Sequence, residues 1–359
     1  MTTNPTTPLH FKALTGIRAI AAIMIFIYHN RKYWKDDLHP EIFRLCNEFN
    51  LGVQLFFVLS GFLIAKSYGS QPMQSVSNYR KYFLQRIVRI MPLYWLLLTL
   101  YFIDPAFGNN HFLLPHYFLL QGFSNLHSLD AIAQSWSLTV EMTFYAFAPF
   151  LMLLLQKHLK YLIVFLLGLF ASTIFTGWFW TTYGNNTGEY LTPTHFVIMS
   201  TFAGQSVLFV AGMFLAQYPN FFSRLSFAKY ATTLGVLGFV VTLYAIGLFQ
   251  ERRTDHGTNH WQGELLFFTI VPICIVLLLY GLMHQRNYLQ RFLASKVMVL
   301  LGNASFAFYL FHISYVNLKL KSWVFFPDRN FILLWLVSIA LYYGFEKPIY
   351  AWYKNLATS

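Results

Sequence analysis

Windows of roughly 17–25 predominantly apolar residues, the length a helix needs to cross hydrocarbon, recur ten times in this chain. They lie at 13–30, 49–68, 86–103, 137–156, 161–181, 197–217, 229–249, 264–283, 297–318 and 331–346. Of 359 residues, 57% are hydrophobic and 11% charged, against about 25% charged in a soluble domain. One soluble core cannot bury so much apolar surface, so a lipid bilayer must take up the excess. In lipid the backbone polar groups must be satisfied within each segment, and helices do this. The expected architecture is an all-α polytopic membrane bundle of about ten spans. It is read as one integral membrane domain, 1–359, without an appended soluble domain. The stretch 111–121 is apolar but too short to cross and is broken by Pro115, so it reads as re-entrant or interfacial. The first run contains Arg18 and is followed by no small-x-small cleavage site, so it reads as a retained span.

Lys and Arg number 25 against 13 Asp and Glu. The bases lie between apolar runs and not on one polar face, so membrane topology accounts for them better than nucleic acid does. With the N-terminus inside, fourteen fall in cytoplasmic segments. Nine, Arg31 among them, fall on the far side, and Arg18 and Lys66 lie within or at the end of spans. That bias favours an N-in, C-in orientation, which counting 111–121 as a full span would invert. Cys46, in a predicted loop, and Cys274, in a span, provide neither a disulfide framework nor a metal quartet. No metal is expected.

An ionisable residue at membrane depth costs about 2.5–3.5 kcal/mol and marks a candidate functional site. Arg18 and His29 share the first span, eleven residues apart. On a helix they share a face, with roughly 16 Å of rise between them. Arg18 could instead snorkel to the inner interface, and His29 could be a polar residue at a span end. Glu141 opens the fourth span at a depth close to that predicted for His29. A carboxylate beside a histidine suits general-base chemistry, though it could equally cap a helix turn or pair with a loop arginine. Arg86 and Arg89 share a face at the cytoplasmic start of the third span. Paired guanidinium groups suit phosphate oxygens, and such pairs are also ordinary inside-positive anchors. His312 and Glu346 are weaker signals.

The order of these segments resembles acyltransferase family 3, a family of integral membrane acyltransferases. The matching stretches are FKALTGIRAIAAIMIFIYHN, with Arg18 and His29, GVQLFFVLSGFLIAKSY from Gly52, and RIVRIMPLYW from Arg86. WSLTVE from Trp136, GNASFAFYLFH ending at His312, and FEKP from Phe345 complete the set. Thr15, Gln54, Met142 and Thr143 stand where the family commonly has acidic residues or Gln, so a second acidic group beside Glu141 is missing.

The resemblance implies a ten-helix bundle that takes an acyl group, usually acetyl from acetyl-CoA on the cytoplasmic side, and places it on a hydroxyl, commonly of a sugar. It makes His29 catalytic, as general base or acyl carrier, assisted by Glu141. It assigns Arg18, Arg86 and Arg89 to the acyl-CoA donor, and Tyr94, Trp136, Ser137 and His312 to supporting or binding substrate. The implied partners are acyl-CoA, a carbohydrate or glycoconjugate acceptor and the bilayer, in a bacterial cytoplasmic membrane. Acceptor and oligomeric state stay open. The alternative is a transporter of a sugar, lipid or drug, since intramembrane Arg, His and Glu also line permeation paths. No inverted repeat is visible to favour it.

Overall fold

The computed structural model describes residues 9–69, 76–104, 113–183, 194–252, 255–314, 317 and 327–358. The structure is helical. The elements are α1 (Leu9–Asn30), α2 (Pro40–Asn47), α3 (Gly52–Tyr68), α4 (Val76–Ile103), α5 (Leu113–Tyr117), α6 (Trp136–Lys157), α7 (Leu159–Tyr183), α8 (Thr194–Ser200) and α9 (Phe202–Gln217). They continue with α10 (Pro219–Ser223), α11 (Ala231–Gly247), α12 (Trp261–His284), α13 (Tyr288–Leu293), α14 (Lys296–Phe311), α15 (Pro327–Leu341) and α16 (Lys347–Thr358). A π-helical turn, Tyr342–Glu346, joins the last two.

Among the described residues, nine helical segments are long and apolar enough to cross a membrane. They correspond to nine of the ten expected spans. The tenth, expected at 297–318, is α14, apolar but only 16 residues long. After Phe311 the chain turns, and polar side chains take the last carbonyls of α14. His312 Nδ1–H donates to the Tyr309 carbonyl at 2.7 Å, Ser314 Oγ donates to that of Phe311 at 2.8 Å, and Asn317 Nδ2 donates to that of His312. Hydropathy averaged over a window does not register this capping.

The chain divides into two compact units. Met1–Leu63 with Ala211–Phe306 make the first, and Ile64–Val210 with Ala307–Ser359 the second. In the first unit, α11 and α12 form an antiparallel hairpin, and α1 packs against α12 and α13. Close backbone approach fixes α1 beside Arg18. A Cβ on Gly16 would lie 2.0 Å from the Leu293 carbonyl oxygen, and one on Gly302 would lie 2.0 Å from that of Thr15. Cys46, expected in a loop, is buried in α2, and Cys274 is buried in α12; both are free thiols.

In the second unit, α4 packs with α6 and α16. The segment expected to be re-entrant near 111–121 is described from Leu113. It comprises α5, Leu119 with φ 59°, and a 3₁₀ turn at Leu120–Phe123. Its backbone is irregular, so side chains of α4 and α6 satisfy it. The Tyr94 hydroxyl donates to the His116 carbonyl at 2.7 Å, Trp95 Nε1 to that of Tyr117 at 2.9 Å, and Thr139 Oγ1 to that of Leu119 at 2.6 Å. The break between α8 and α9 follows the same rule. Gln205 Nε2 donates to the Met199 carbonyl at 2.8 Å, and Thr201 Oγ1 to that of Val197 at 2.6 Å.

Gly16→Ala is expected to destabilise the fold by about 1–3 kcal/mol, because backbone must move to admit the methyl group. The measurement is the thermal midpoint of the detergent-purified protein, and an unchanged midpoint would contradict the close approach to Leu293.

Candidate functional site

Arg18 and His29 lie in the first unit; Arg86, Arg89, Tyr94, Trp136, Ser137, Glu141 and His312 lie in the second. Because α1 is uninterrupted from Leu9 to Asn30, Arg18 and His29 keep the expected spacing, about 16 Å along one helix. Arg18 is half-buried. His29 is exposed in the last turn, edge-on to the Tyr28 ring at 4.7 Å between centroids.

In the second unit, α4 presents Arg86 into a cluster of tyrosines. Its guanidinium carbon lies 5.5 Å from the ring centroids of Tyr68 and Tyr82 and 5.6 Å from that of Tyr145. One guanidinium NH₂ donates to the Tyr68 hydroxyl at 3.3 Å, and that hydroxyl donates to Gln85 Oε1 at 2.7 Å. Three ring faces hold a cation by its attraction to their quadrupoles without neutralising it. Among the described residues no carboxylate pairs with Arg86. Arg89, one turn further along α4, is exposed.

On α6 the Tyr145 hydroxyl donates to Glu141 Oε1 at 2.5 Å. Glu141, Tyr145 and Arg86 are therefore contiguous, with a buried phenol between acid and base. Sequence reading passed over Tyr145. The signal was available: it follows Glu141 by four residues, which places it on the same helix face.

The remaining candidates are tied to backbone. Tyr94 holds α5, and its hydroxyl also accepts from Gln121 Nε2 at 3.3 Å. Ser137 Oγ and the Tyr309 hydroxyl share a hydrogen bond of 2.7 Å, and the Tyr309 hydroxyl donates to the Gln134 carbonyl at 3.1 Å. Gln134 Nε2 in turn donates to the carbonyls of Tyr309 and Leu310 at 2.9 and 2.7 Å. His312 is buried and stacked on Phe308. Its Nδ1 faces carbonyls that can only accept, so Nδ1 bears the proton. Trp136 is half-buried at the start of α6. Among the described residues no cluster of His, Cys, Asp and Glu is placed to hold a metal ion.

Residues 11–345 match the acyltransferase domain family and include every candidate residue above except Glu346. The chain belongs to that family. It is 24% identical to the peptidoglycan O-acetyltransferase OatA of Listeria monocytogenes over 332 residues, 85% of this chain and 49% of that protein. It is 24% identical over 374 residues to a putative O-acetyltransferase of Staphylococcus aureus strain COL, covering 94% and 57%. It is 23% identical to O-acetyltransferase OatA of Staphylococcus aureus strain NCTC 8325, covering 85% and 50%. The chain thus spans about half the length of the curated relatives it matches. No solved structure matches it.

Within this acyltransferase domain, the polar side chains sort into two groups. Tyr94, Ser137 and Tyr309 hold irregular backbone in place, whereas Arg86 retains an un-neutralised charge. Tyr309→Phe removes one of the two side-chain partners of Ser137 and of the Gln134 carbonyl, leaving only the 2.9 Å bond from Ser137 Oγ to that carbonyl. It should cost about 1–3 kcal/mol and lower the thermal midpoint in detergent; a midpoint equal to wild type would show that this web is not supporting α6.

Proposed function

We propose that this acyltransferase moves an acetyl group from acetyl-CoA, met at the cytoplasmic side of the membrane, to a hydroxyl of a cell-envelope carbohydrate. Peptidoglycan is the favoured acceptor class, because one relative is named a peptidoglycan O-acetyltransferase. The observation that carries the reading is Arg86, a guanidinium seated among three tyrosine rings and in no ion pair among the described residues. A buried or half-buried cation without an acidic partner suits an anion brought by a ligand, and a guanidinium matches phosphate oxygens bidentately.

Acetyl-CoA would supply the activated thioester and the phosphates. Arg86 binds a phosphate, with Arg89 on the same helix face adding positive charge, and Arg18 on α1 is likewise assigned to the donor. His29 takes the proton of the acceptor hydroxyl as that oxygen attacks the acyl carbon, and returns it to the departing thiol. Glu141 is the carboxylate on which the proton chemistry depends. An acyl group carried on His29 itself is the alternative chemistry, and trapping an acyl-histidine would distinguish the two.

The decisive assay follows labelled acetyl from acetyl-CoA to soluble peptidoglycan fragments, using detergent-purified protein. His29→Ala should lower transfer by about 10²–10⁴-fold, as for loss of a general base, and Arg86→Ala should raise the donor KM. A wild type that neither binds nor consumes acetyl-CoA would refute the reading.

Tyr145 gives a second test, because its ring and its hydroxyl serve different neighbours. Tyr145→Phe keeps the ring beside Arg86, so the donor KM should hold while kcat falls about tenfold or more through loss of the bond to Glu141. Tyr145→Leu should also raise the donor KM. Identical kinetics for the two variants would show that the phenol does not have two separable roles.

A further inference from the structure

The polar residues around the C-terminal end of α1 close into a ring within the first unit, and no role assigned above uses it. Arg31, read from the sequence as a loop cation, is buried. Its Nε donates to Asn47 Oδ1, one NH₂ donates to the Tyr28 carbonyl at 2.5 Å, and the guanidinium carbon lies 4.2 Å from the Tyr28 ring centroid. Asn47 Nδ2 donates to Gln250 Oε1 at 3.4 Å, and Gln250 Nε2 donates to Glu48 Oε1 at 2.7 Å. The Gly257 amide donates to the same Glu48 oxygen at 2.8 Å. His256 closes the ring: its Nε2 and the Tyr28 hydroxyl share a hydrogen bond of 3.0 Å.

This ring is tertiary, since its links join positions more than 200 residues apart, and its centre is rigid. Asn47 and Glu48 are wholly buried. A Cβ on Gly257 would lie 1.8 Å from the Ile246 carbonyl oxygen, so the backbone carrying His256 is held against α11. The Tyr28 ring meets His29 at 4.7 Å and His256 at 5.4 Å between centroids. One phenol therefore touches both imidazoles.

The charges decide what such a place can bind. Arg31 is engaged by Asn47 and by the backbone and ring of Tyr28, so it is not presented to a phosphate. Glu48 is wholly buried and accepts from Gln250 and the Gly257 amide, so it is spent within the ring. The groups next to His29 are a phenol and an imidazole, which exchange hydrogen bonds with neutral hydroxyls.

We propose that His256, set by this ring beside Tyr28 and His29, belongs to the acceptor-binding side of the site and holds a hydroxyl of the carbohydrate acceptor. The proposal rests on the acetyl-transfer reading above. The protein is purified in detergent as wild type, H256A, H256Q and Y28F, and transfer from labelled acetyl-CoA to soluble peptidoglycan fragments is measured beside acetyl-CoA hydrolysis without acceptor. H256A should raise the acceptor KM about tenfold and leave the donor KM and acceptor-free hydrolysis as in wild type. H256Q, whose amide can still bond the Tyr28 hydroxyl, should recover part of the loss, and Y28F should show a smaller rise than H256A. Should H256A fail to fold, H256Q and Y28F carry the comparison. A wild-type acceptor KM in the folded His256 variants overturns the proposal. Should the wild type turn over no acetyl-CoA, the acetyl-transfer reading fails separately. Equilibrium dialysis of the fragments then decides this inference: weaker binding by the His256 variants supports it, and unchanged or absent binding overturns it.

Discussion

Hydrocarbon offers no hydrogen bonds, and the rest of this structure depends on that fact. Every backbone amide and carbonyl at membrane depth needs a partner in the chain, so the apolar runs become helices. The same constraint dictates what happens where the chain cannot be helical. The α5 segment, the break between α8 and α9 and the end of α14 each leave carbonyls exposed, and in each case a side chain donates to them. Tyr94, Trp95 and Thr139 serve the first, Thr201 and Gln205 the second, and His312, Ser314 and Asn317 the third. Much of the polar content of the motif segments is therefore architectural.

That distinction separates uncommitted groups from supporting ones more sharply than residue type does. Tyr94 and Arg86 belong to one motif on one helix. The Tyr94 hydroxyl is committed to a carbonyl, whereas the Arg86 guanidinium faces three aromatic rings that hold it while leaving its charge available. Arg44 shows the contrast: it meets Glu41 at 2.6 Å in an ordinary ion pair. A cation neutralised in that way has little left to offer a phosphate.

The helical class and the positions of the spans were legible because the transfer cost of apolar residues is local and additive along a window. Arg18 and His29 were legible as a pair because helix geometry alone sets their spacing. What escaped the sequence was long-range. Arg31 has the look of a loop cation until Asn47 and Tyr28 enclose it. Gln250 and His256 sit in a polar stretch with no periodicity, and their partners lie more than 200 positions away. Tyr145 is one of 23 tyrosines, and nothing but its spacing from Glu141 distinguishes it. The turn at 312–314 that interrupts the tenth span was not legible, because hydropathy averages over His312 and Ser314, whereas their side chains bond the last carbonyls of α14.

The first unit keeps its cationic and its neutral polar groups at opposite ends of one helix. A polyanionic donor needs unneutralised positive charge; a sugar hydroxyl needs directional neutral partners and is not helped by cations. Placed together, these requirements conflict, because a carboxylate suited to one repels the other. On α1 they are kept apart: Arg18 lies about 16 Å from His29, and the Tyr28–His256 pair, with buried Glu48 behind it, gathers at the His29 end. On the proposed function, a donor bound near Arg18 would reach His29 through an extended uncharged arm, such as the one on which coenzyme A carries its thioester. On that proposal, separating the charged from the neutral recognition along one rigid helix would let each be optimised without weakening the other.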